Sequence, residues 1–220
     1  MKEPIPVSDG VYRIEGRYYT MNLVPGESVY GEDLIEVDDF EYRNWDPHRS
    51  KLGAFLVKEG GLPFSPDDDI LYLGAGDGTT VSHLSDILTD GRIFAVEKAR
   101  KPYRNLLDLS KKRKNIFPMM ADANRPENYR DLVGRVDFVY QDIAQRDQVE
   151  IFMKNQNFLQ RDCYGMIAIK SRSIDVSRPS KEIIQDAKNK FEDNDYKILN
   201  ESDISRWQKD HVILTLSKKV

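Results

Sequence analysis

The segment that most constrains the fold of this chain is ILYLGAGDGTTVSHLSDIL, residues 70–88. A short apolar run of the kind that forms a buried strand ends in the glycine-rich sequence GAGDG, and apolar residues at helical spacing follow it. Glycine permits the backbone angles of a tight turn and lets the backbone approach another group closely. The segment therefore predicts a strand, a glycine turn and a helix whose first N–H groups can bind an anion or a carboxylate.

Strand and helix patterns alternate along the rest of the chain from residue 45 onward. Strands are predicted at about 69–74, 92–97, 116–121, 136–141, 165–171, 196–201 and 211–217. Helices are predicted at about 79–88, 100–113, 126–133, 146–159 and 180–193. This alternation indicates an α/β fold with a doubly wound, mainly parallel, seven-stranded Rossmann-like sheet. The last two strands lie too close in sequence for a helical crossover, so we expect them to run antiparallel.

The first 44 residues follow a different pattern. Two alternating stretches, GVYRIEGRYYTMNL and DLIEVDDFEYRNW, flank the turn-forming sequence VPGESVYGE. This arrangement predicts a small antiparallel β unit at residues 1–44, followed by an α/β domain at residues 45–220. Asp46-Pro47 is typical of the start of a helix, and Gly60-Gly61 is typical of its end.

Composition restricts the class of protein. Hydrophobic residues make up 40% of the chain and charged residues 32%, as in globular proteins. No apolar run is long enough to span a membrane, and the N-terminus lacks the apolar core of a secretory signal. Cys163 is the single cysteine, so it cannot form an internal disulfide, and it is interpreted as a small buried residue. We expect a cytoplasmic protein without a membrane partner.

Carboxylates follow the predicted parallel strands at their carboxyl ends, where doubly wound sheets bind ligands. Glu97 ends the second of these strands, and a carboxylate there can accept hydrogen bonds from both hydroxyls of a ribose. Asp122 follows the third strand and can accept a hydrogen bond from an adenine amino group. These positions suit both NAD and S-adenosylmethionine.

The spacing of the glycines separates the two cofactors. The dinucleotide fingerprint G-x-G-x-x-G requires glycine at position 79, whereas this chain has G-x-G-x-G followed by Thr79. Asp77 would place a negative charge near a pyrophosphate, while the amino group of a methionine would tolerate that charge. An antiparallel final strand is also typical of class I S-adenosylmethionine-dependent methyltransferases. The sequence therefore favours S-adenosylmethionine, and NAD is the alternative.

Two charged residues end the fourth and fifth strands of the α/β domain, namely Asp142 and Lys170. Lys51, near the start of the first helix, and His211, at the last strand, complete a possible cluster at the same edge of the sheet. Lysines near an aspartate can stabilise a developing oxyanion. The structural alternative for Lys170 is a buried stem whose ammonium reaches water.

The remaining histidines have structural interpretations. His83 falls within the helix after the glycine turn and is interpreted as a packed, hydrogen-bonded residue. His48 precedes the first helix and is interpreted as a loop or capping residue. Scattered histidines and one cysteine offer no spacing typical of metal ligands, so we expect no metal site.

Several motifs taken together resemble the fibrillarin family. In chain order they are NLVPGESVYGE, EYRNWDPHRSKLGAFL, GTTVSHLSDI, QDIAQ and AIKSRSIDV. The resemblance runs from about residue 12 to the C-terminus, and without a glycine/arginine-rich N-terminal extension the chain is similar to the archaeal members. It implies an RNA 2′-O-methyltransferase that uses S-adenosylmethionine and modifies rRNA and tRNA within a box C/D guide ribonucleoprotein.

The resemblance also implies roles for individual residues. The Lys-Asp-Lys-His tetrad of the family corresponds to Lys51, Asp142, Lys170 and His211. Lys170 is expected closest to the target hydroxyl, as a base or as a cation, and either Lys170 or Asp142 accepts the proton. The residues implied to bind the cofactor are Thr79, Thr80, Glu97, Lys98, Asp122, Ala123 and Asp142 through Gln145. The glycine turn itself adds Gly74, Ala75 and Gly76 to the predicted cofactor site. The chain departs from the family at Gly76-Asp77, where two small residues such as Ala-Ser are expected.

The net charge of −4 limits how the chain binds RNA. Phosphate neutralisation supplies most non-specific affinity, so we expect the isolated protein to bind RNA weakly. The resemblance implies partners that make up for this weak RNA binding. They are a Nop-domain scaffold protein, a kink-turn-binding protein and a guide RNA that selects the target rRNA or tRNA. Basic residues 98–114, Arg172 and Arg178 are candidate contacts to RNA or scaffold. A non-catalytic assembly subunit with the same fold is a further alternative.

Overall fold

The computed structural model describes residues 3–218, without the side chains of residues 161–163. The interpretation of Cys163 as a buried residue therefore lies outside the described residues. The N-terminal part forms an antiparallel sheet of five strands in the order β1-β2-β3-β5-β4. Its strands are β1 (Ile5–Ser8), β2 (Val11–Ile14), β3 (Arg17–Met21), β4 (Leu34–Val37) and β5 (Phe40–Asn44). The predicted antiparallel β unit is confirmed.

The second sheet has seven strands in the order β11-β12-β10-β9-β6-β7-β8. They are β6 (Asp69–Leu73), β7 (Arg92–Glu97), β8 (Ile116–Met120), β9 (Val136–Gln141), β10 (Leu159–Lys170), β11 (Tyr196–Asp203) and β12 (His211–Lys218). Strand β12 runs antiparallel to its neighbours β10 and β11, while the other pairs are parallel. The predicted mainly parallel sheet with an antiparallel final pair is confirmed.

Helices cover both faces of this sheet. They are α1 (Lys51–Glu59), α2 (Thr79–Ile87), α3 (Arg100–Lys112), α4 (Arg130–Val133), α5 (Gln148–Asn155), α6 (Ser171–Ile174) and α7 (Ser180–Glu192). Several bounds differ from expectation. The helix predicted at 126–133 divides into a 3-10 turn and the short α4, and the helix predicted at 146–159 is α5 followed by a 3-10 turn at Gln156–Phe158. Strand β10 begins at Leu159 because an irregular register allows it to pair with β9 earlier than predicted.

Helix α1 begins later than predicted, so the assignment of Asp46-Pro47 to its N-terminus is wrong. Residues 47–49 form a turn in which the Asp46 carbonyl accepts the N–H of Ser50 (3.2 Å). Ser50 is the N-cap instead, because its hydroxyl accepts the N–H of Gly53 (3.0 Å). Lys51 is therefore the first residue of the helix, which fixes where its side chain emerges. The predicted end of α1 is confirmed by Gly60 (φ 79°).

Successive residues of β6 alternate between two apolar cores. Ile70 and Tyr72 pack with residues of α1, α2 and α3, whereas Leu71 and Leu73 pack with residues of α5 and α7. Burying a large apolar side chain stabilises a fold by about 1.5–3 kcal/mol, so a strand buried on both faces contributes strongly. This burial holds the carboxyl end of β6, where the glycine turn begins, in a fixed position.

Buried charges hold α2 and α3 against the N-terminal sheet. The Arg43 guanidinium donates to Asp86 (2.7 Å) and to Glu32 (2.7 Å), and all three side chains are fully buried. Arg113 donates to the other oxygen of Asp86. Removing one member of such a buried network leaves an uncompensated charge and costs about 3–5 kcal/mol. The N-terminal sheet is therefore firmly joined to the helices beside the glycine turn.

His83 lies in the same region and is a packed, hydrogen-bonded residue, as predicted. The Thr20 hydroxyl donates to Asp86 (2.7 Å) and so accepts the Nδ1–H of His83 (2.8 Å). The Tyr30 hydroxyl contacts Nε2 (2.7 Å), and the ring stacks on Trp45 with 4.6 Å between centroids. Burial and the neighbouring charges of Arg43 and Arg113 make the neutral ring the form that this environment favours.

A pH dependence of stability follows from this environment. Burial lowers the pKa of His83 well below its ordinary value, and the charges of Arg43 and Arg113 lower it further. In the unfolded chain the pKa is about 6.5, so below that pH only the unfolded state takes up a proton. The stability that the neutral His83 contributes is therefore complete above pH 6.5. As the pH falls from there towards the folded-state pKa, the free energy of unfolding decreases by up to about 1.4 kcal/mol per pH unit.

We expect urea titrations between pH 7.5 and 5.5 to show this loss in the wild type and a flatter dependence in His83→Gln. The same substitution at the exposed His48 controls for removal of a histidine. If the free energy of unfolding depended on pH equally in the wild type and in His83→Gln, His83 would not be the cause of the loss.

Candidate active site

The glycine turn between β6 and α2 is shaped by close contact with the end of β9. Gly74 has φ 83°, and a Cβ atom there would lie 2.5 Å from the carbonyl oxygen of Asp142. Gly78 has φ 91°, and a Cβ atom there would lie 2.6 Å from Leu109. Gly74 therefore requires glycine for conformation and for space, and Gly78 requires it for conformation. The beginning of the turn therefore lies directly against Asp142.

A cavity of about 300 Å³ opens where β6, β7, β8 and β9 end. Its position, at the carboxyl ends of parallel strands, is the one that ligands occupy in doubly wound sheets. Most of the residues predicted to bind the cofactor line it, namely Gly74, Gly76, Glu97, Lys98, Asp122, Ala123, Asp142 and Gln145. Ile143 and Ala144, between the last two of these, also line it.

Three predicted cofactor residues, Ala75, Thr79 and Thr80, do not form part of the cavity wall. The Thr80 hydroxyl is instead within 2.9 Å of the hydroxyl of Ser50, the N-cap of α1. This contact joins α2 to the residue that immediately precedes Lys51.

Asp77 also lies differently from the expectation. Its side chain is exposed, and its carboxylate accepts a hydrogen bond from the Asn105 amide of α3 (2.8 Å). The charge of Asp77 is therefore directed to α3, and it does not discriminate between a pyrophosphate and a methionine amino group. The discrimination between the two cofactors rests on Thr79 and on the other features of the turn.

Sequence reasoning missed three apolar residues of the wall: Val96, Ala121 and Ile151. Val96 and Ala121 immediately precede the carboxylates Glu97 and Asp122, so the rule that found those carboxylates could have included them. Ile151 lies one turn into α5, and nothing in its local sequence distinguishes it from an ordinary core residue. Together these side chains give the cavity an apolar surface beside its carboxylates.

The two carboxylates at the ends of β7 and β8 are held in place by hydrogen bonds. Glu97 accepts the N–H of Gly76 (2.9 Å) with one oxygen and that of Ala99 (2.6 Å) with the other. The Lys98 ammonium donates to Asp122 (2.6 Å), and this bond is the main reason that the pKa of Asp122 is lowered. The cavity therefore presents oriented acceptors for hydroxyl and amino groups.

The four residues of the predicted reactive cluster come together at the same edge. The Lys51 ammonium lies 2.9 Å and 3.1 Å from the two carboxylate oxygens of Asp142. Lys170, the last residue of β10, is paired in register with His211, the first residue of β12. Burial lowers the pKa of His211, Lys51 and Lys170 lower it further, and Asp142 acts in the opposite direction. The charges of Lys51, Asp142 and Lys170 therefore all affect the pKa of His211.

His211 is held in one tautomer. Its Nδ1–H donates to the Lys209 carbonyl (2.8 Å), and the side chain is almost completely buried. Its Nε2 has no hydrogen-bond partner among the described residues. A buried polar atom without a partner is uncommon in a folded protein. The neutral ring leaves Nε2 as an acceptor within the cluster.

The two lysines of the cluster differ in their partners. Lys51 is paired with Asp142 at 2.9 Å, so its charge is compensated. Within the described part of the chain, the Lys170 ammonium forms no ion pair, although its backbone N–H and carbonyl are both hydrogen-bonded to the Gln148 side chain. Lys170 is therefore the cation of the cluster that remains available to act on another group.

The candidate RNA contacts are partly occupied within the chain. Arg178 pairs with Asp186 (2.7 Å) and Glu182 (3.5 Å), and Arg172 lies 3.7 Å from a carboxylate oxygen of Asp210. Within the basic segment 98–114, Arg113 is buried against Asp86, so its inclusion as a candidate RNA contact is wrong. The exposed basic residues of this segment lie on or next to α3.

The described residues contain no group of three or more histidine, cysteine, aspartate or glutamate side chains that could hold a metal ion. Between residues 3 and 218, no helix combines the length and the apolar character needed to cross a membrane.

Comparison with known proteins identifies the family. The fibrillarin family model matches residues 3–220. The fibrillarin-like rRNA/tRNA 2′-O-methyltransferase of Methanosarcina barkeri is 43% identical to this chain over 219 residues, which cover 96% of this chain and 97% of that protein.

Three solved structures agree with this result. A Methanococcus jannaschii fibrillarin, a pre-rRNA processing protein, superposes with a TM-score of 0.93 at 42% identity, covering 98% of this chain and 97% of that one. A chain of a fibrillarin/Nop5p complex gives a TM-score of 0.89 at 37% identity, with 96% and 98% covered. Aeropyrum pernix fibrillarin with natively bound S-adenosyl-L-methionine gives 0.86 at 41% identity, with 99% and 100% covered. This chain belongs to the fibrillarin family.

Proposed function

We propose that this chain transfers the methyl group of S-adenosylmethionine to the 2′-hydroxyl of a ribose in rRNA or tRNA, as the catalytic subunit of a box C/D guide ribonucleoprotein. One observation carries the proposal: Asp142 belongs both to the wall of the cavity and, through its ion pair with Lys51, to the reactive cluster. A single side chain thus joins the place where a nucleoside fits to the place where a proton can be moved.

The cavity has the chemistry that S-adenosylmethionine requires. Its volume, about 300 Å³, lies at the lower end of the range for small-molecule sites. Glu97 would accept hydrogen bonds from the ribose hydroxyls, and Asp122 would accept one from the adenine amino group. Val96 and Ile151 would provide apolar contacts for the base, and Gly74 and Gly76 would let the methionine moiety lie close to the backbone of the turn.

NAD fits the site less well. Thr79 begins α2 where the dinucleotide fingerprint requires glycine. The A. pernix relative, 41% identical, holds S-adenosylmethionine in its solved structure. The relatives named as methyltransferases therefore support the choice that the glycine spacing favours.

The reactive cluster supplies what methyl transfer needs from the protein. Bound S-adenosylmethionine supplies an electrophilic methyl group. Lys170 acts on the target 2′-hydroxyl in one of two forms: as a neutral amine that takes its proton, or as an ammonium that stabilises the developing oxyanion. Asp142 holds Lys51 in place, and neutral His211 contributes an acceptor beside Lys170. Proton transfer by a positioned group contributes about 10²–10⁴-fold, and alignment of the reactants contributes about 7–11 kcal/mol.

Partners are needed to bring RNA to this cluster. The chain has a net charge of −4, and Arg178 is already paired with its own carboxylates. A relative in complex with Nop5p supports a Nop-domain scaffold protein as the direct partner. We extend the proposal to a kink-turn-binding protein and to a guide RNA whose base pairing selects the nucleotide.

The proposal is tested with a particle assembled from this chain, its scaffold partners and a guide RNA, supplied with S-adenosylmethionine carrying a labelled methyl group. We expect methyl transfer to RNA that pairs with the guide, and none when the guide is mismatched. The isolated chain should bind S-adenosylmethionine but methylate free RNA at least about 100-fold more slowly, because RNA is not positioned.

Other outcomes have clear meanings. Equal methylation with matched and mismatched guides would contradict guide selection. Binding of S-adenosylmethionine without any transfer in the complete particle would identify a non-catalytic assembly subunit.

A further inference from the structure

We propose that Gln148 is a positioning residue whose buried side-chain amide fixes Lys170 relative to the loop that forms one wall of the cavity. The inference rests on the proposed methyl transfer, in which Lys170 acts on the target hydroxyl. It concerns a residue outside the Lys-Asp-Lys-His cluster and outside the cavity wall.

The backbone at Lys170 lacks a neighbouring strand on one side. Strands β9 and β10 pair in register only as far as Gln141 and Ile167, three residues before β10 ends. The Lys170 N–H donates to Oε1 of Gln148 (3.0 Å), and Nε2 of Gln148 donates to the Lys170 carbonyl (3.2 Å). The side-chain amide therefore makes both bonds that an adjacent strand would otherwise make.

The same amide also holds the loop between β9 and α5. Nε2 of Gln148 donates to the carbonyl of Gln145 (2.9 Å), which lines the cavity together with Asp142. The side-chain amide of Gln141 in turn donates to the Gln148 carbonyl (2.6 Å). Gln148 is thus bonded at once to the backbone of Lys170 and to the backbone of the cavity wall.

The hydrogen bonds of the Gln148 amide are buried, so they strongly constrain the position of Lys170 relative to the cavity wall. Gln148 and Gln141 are both completely buried. Burying an amide costs free energy unless it is hydrogen-bonded, and an apolar side chain would fill the same space without that cost. The bonds of Gln148 go to the reactive strand end and to the cavity wall, so its polar character serves the relative position of these two parts. A displacement of about 1 Å between reacting groups can cost about 100-fold in rate.

Two substitutions separate positioning from packing. Gln148→Met preserves the length of the side chain and removes all three bonds. Gln148→Glu preserves an acceptor for the Lys170 N–H but places a carboxylate oxygen against two carbonyl oxygens. A buried carboxyl in that position has a raised pKa, and when protonated it can donate to one of those carbonyls again. The matched substitutions at Gln185, which is exposed on α7, serve as controls.

The readouts are kcat for methyl transfer by the assembled particle and the affinity of each variant chain for S-adenosylmethionine. We expect Gln148→Met to lower kcat by about 100-fold and to weaken S-adenosylmethionine binding by less than about 10-fold. We expect the ratio of Gln148→Glu activity to wild-type activity to rise as the pH is lowered from 8 to 6. The Gln185 variants should match the wild type throughout.

The outcomes distinguish this inference from the proposed function. An active wild-type particle with kcat unchanged in Gln148→Met would overturn the inference alone. Should Gln148→Met fail to fold, the pH profile of Gln148→Glu decides: recovery at low pH supports positioning, and a constant ratio overturns it. A wild-type particle that transfers no methyl group would overturn the proposed function and this inference together.

Discussion

Lys170→Ala is expected to lower the rate of methyl transfer by the assembled particle by about 10³-fold while leaving the affinity for S-adenosylmethionine within about threefold of wild type. The reason is that Lys170 has the available ammonium of the cluster, whereas Lys51 is compensated by Asp142 at 2.9 Å. Lys170 also lies outside the cavity wall, so its removal should not disturb the cofactor. Single-turnover transfer with saturating S-adenosylmethionine measures the chemical step.

Lys188→Ala is the matched control, because Lys188 lies in α7 and pairs with Glu201 away from the cluster (2.7 Å). A Lys170→Ala particle that works at nearly the wild-type rate would remove this lysine from the mechanism. A parallel loss of cofactor affinity and rate would instead assign it to binding.

Gly74→Ala is expected to damage both stability and activity. A Cβ atom at Gly74 would lie 2.5 Å from the Asp142 carbonyl oxygen, so either the turn or the end of β9 must move. Strain at positive φ and overpacking together should lower the free energy of unfolding by about 2–5 kcal/mol. Displacing Asp142 should also reduce methyl transfer by about 100-fold or more. Urea denaturation and the particle assay measure the two effects.

Gly60→Ala separates the clash from the strain. Gly60 has φ 79°, close to the 83° of Gly74, but no atom lies within 4 Å of its added Cβ. This variant should lose only about 1–2 kcal/mol of stability and keep its activity. If the two variants lost equal stability, the close approach between the glycine turn and Asp142 would be contradicted.

Much of the fold could be predicted because local pattern and tertiary structure agree. Apolar runs, the glycine turn and the short final connection determine strand type and direction, and the rule for ligand sites in parallel sheets locates Glu97, Asp122 and Asp142. The start of α1 was missed because both Asp46 and Ser50 can cap a helix. In the structure the Ser50 hydroxyl accepts the N–H of Gly53 and also contacts Thr80 of α2, a tertiary contact that the local sequence does not reveal.

Other parts of the site depend on partners that are distant in sequence. The orientation of Asp77 is determined by Asn105 on α3, and the role of Thr80 by Ser50 on α1. Gln148 occurs in the polar sequence QRDQ, which is typical of an exposed helix start, and its burial becomes visible only when β10 is placed beside it. The role of His211 came from the resemblance to a family, because a single histidine at a strand end has no specific meaning alone.

Transfer to a ribose oxygen is tested most directly by changing that oxygen. The wild-type particle is given a guide-paired RNA with either ribose or 2′-deoxyribose at the target nucleotide, together with S-adenosylmethionine carrying a labelled methyl group. We expect one labelled methyl group at the target nucleotide of the ribose substrate and no incorporation into the deoxy substrate. Incorporation into both substrates at similar rates would contradict 2′-O-methylation and would place the acceptor on the base or the phosphate.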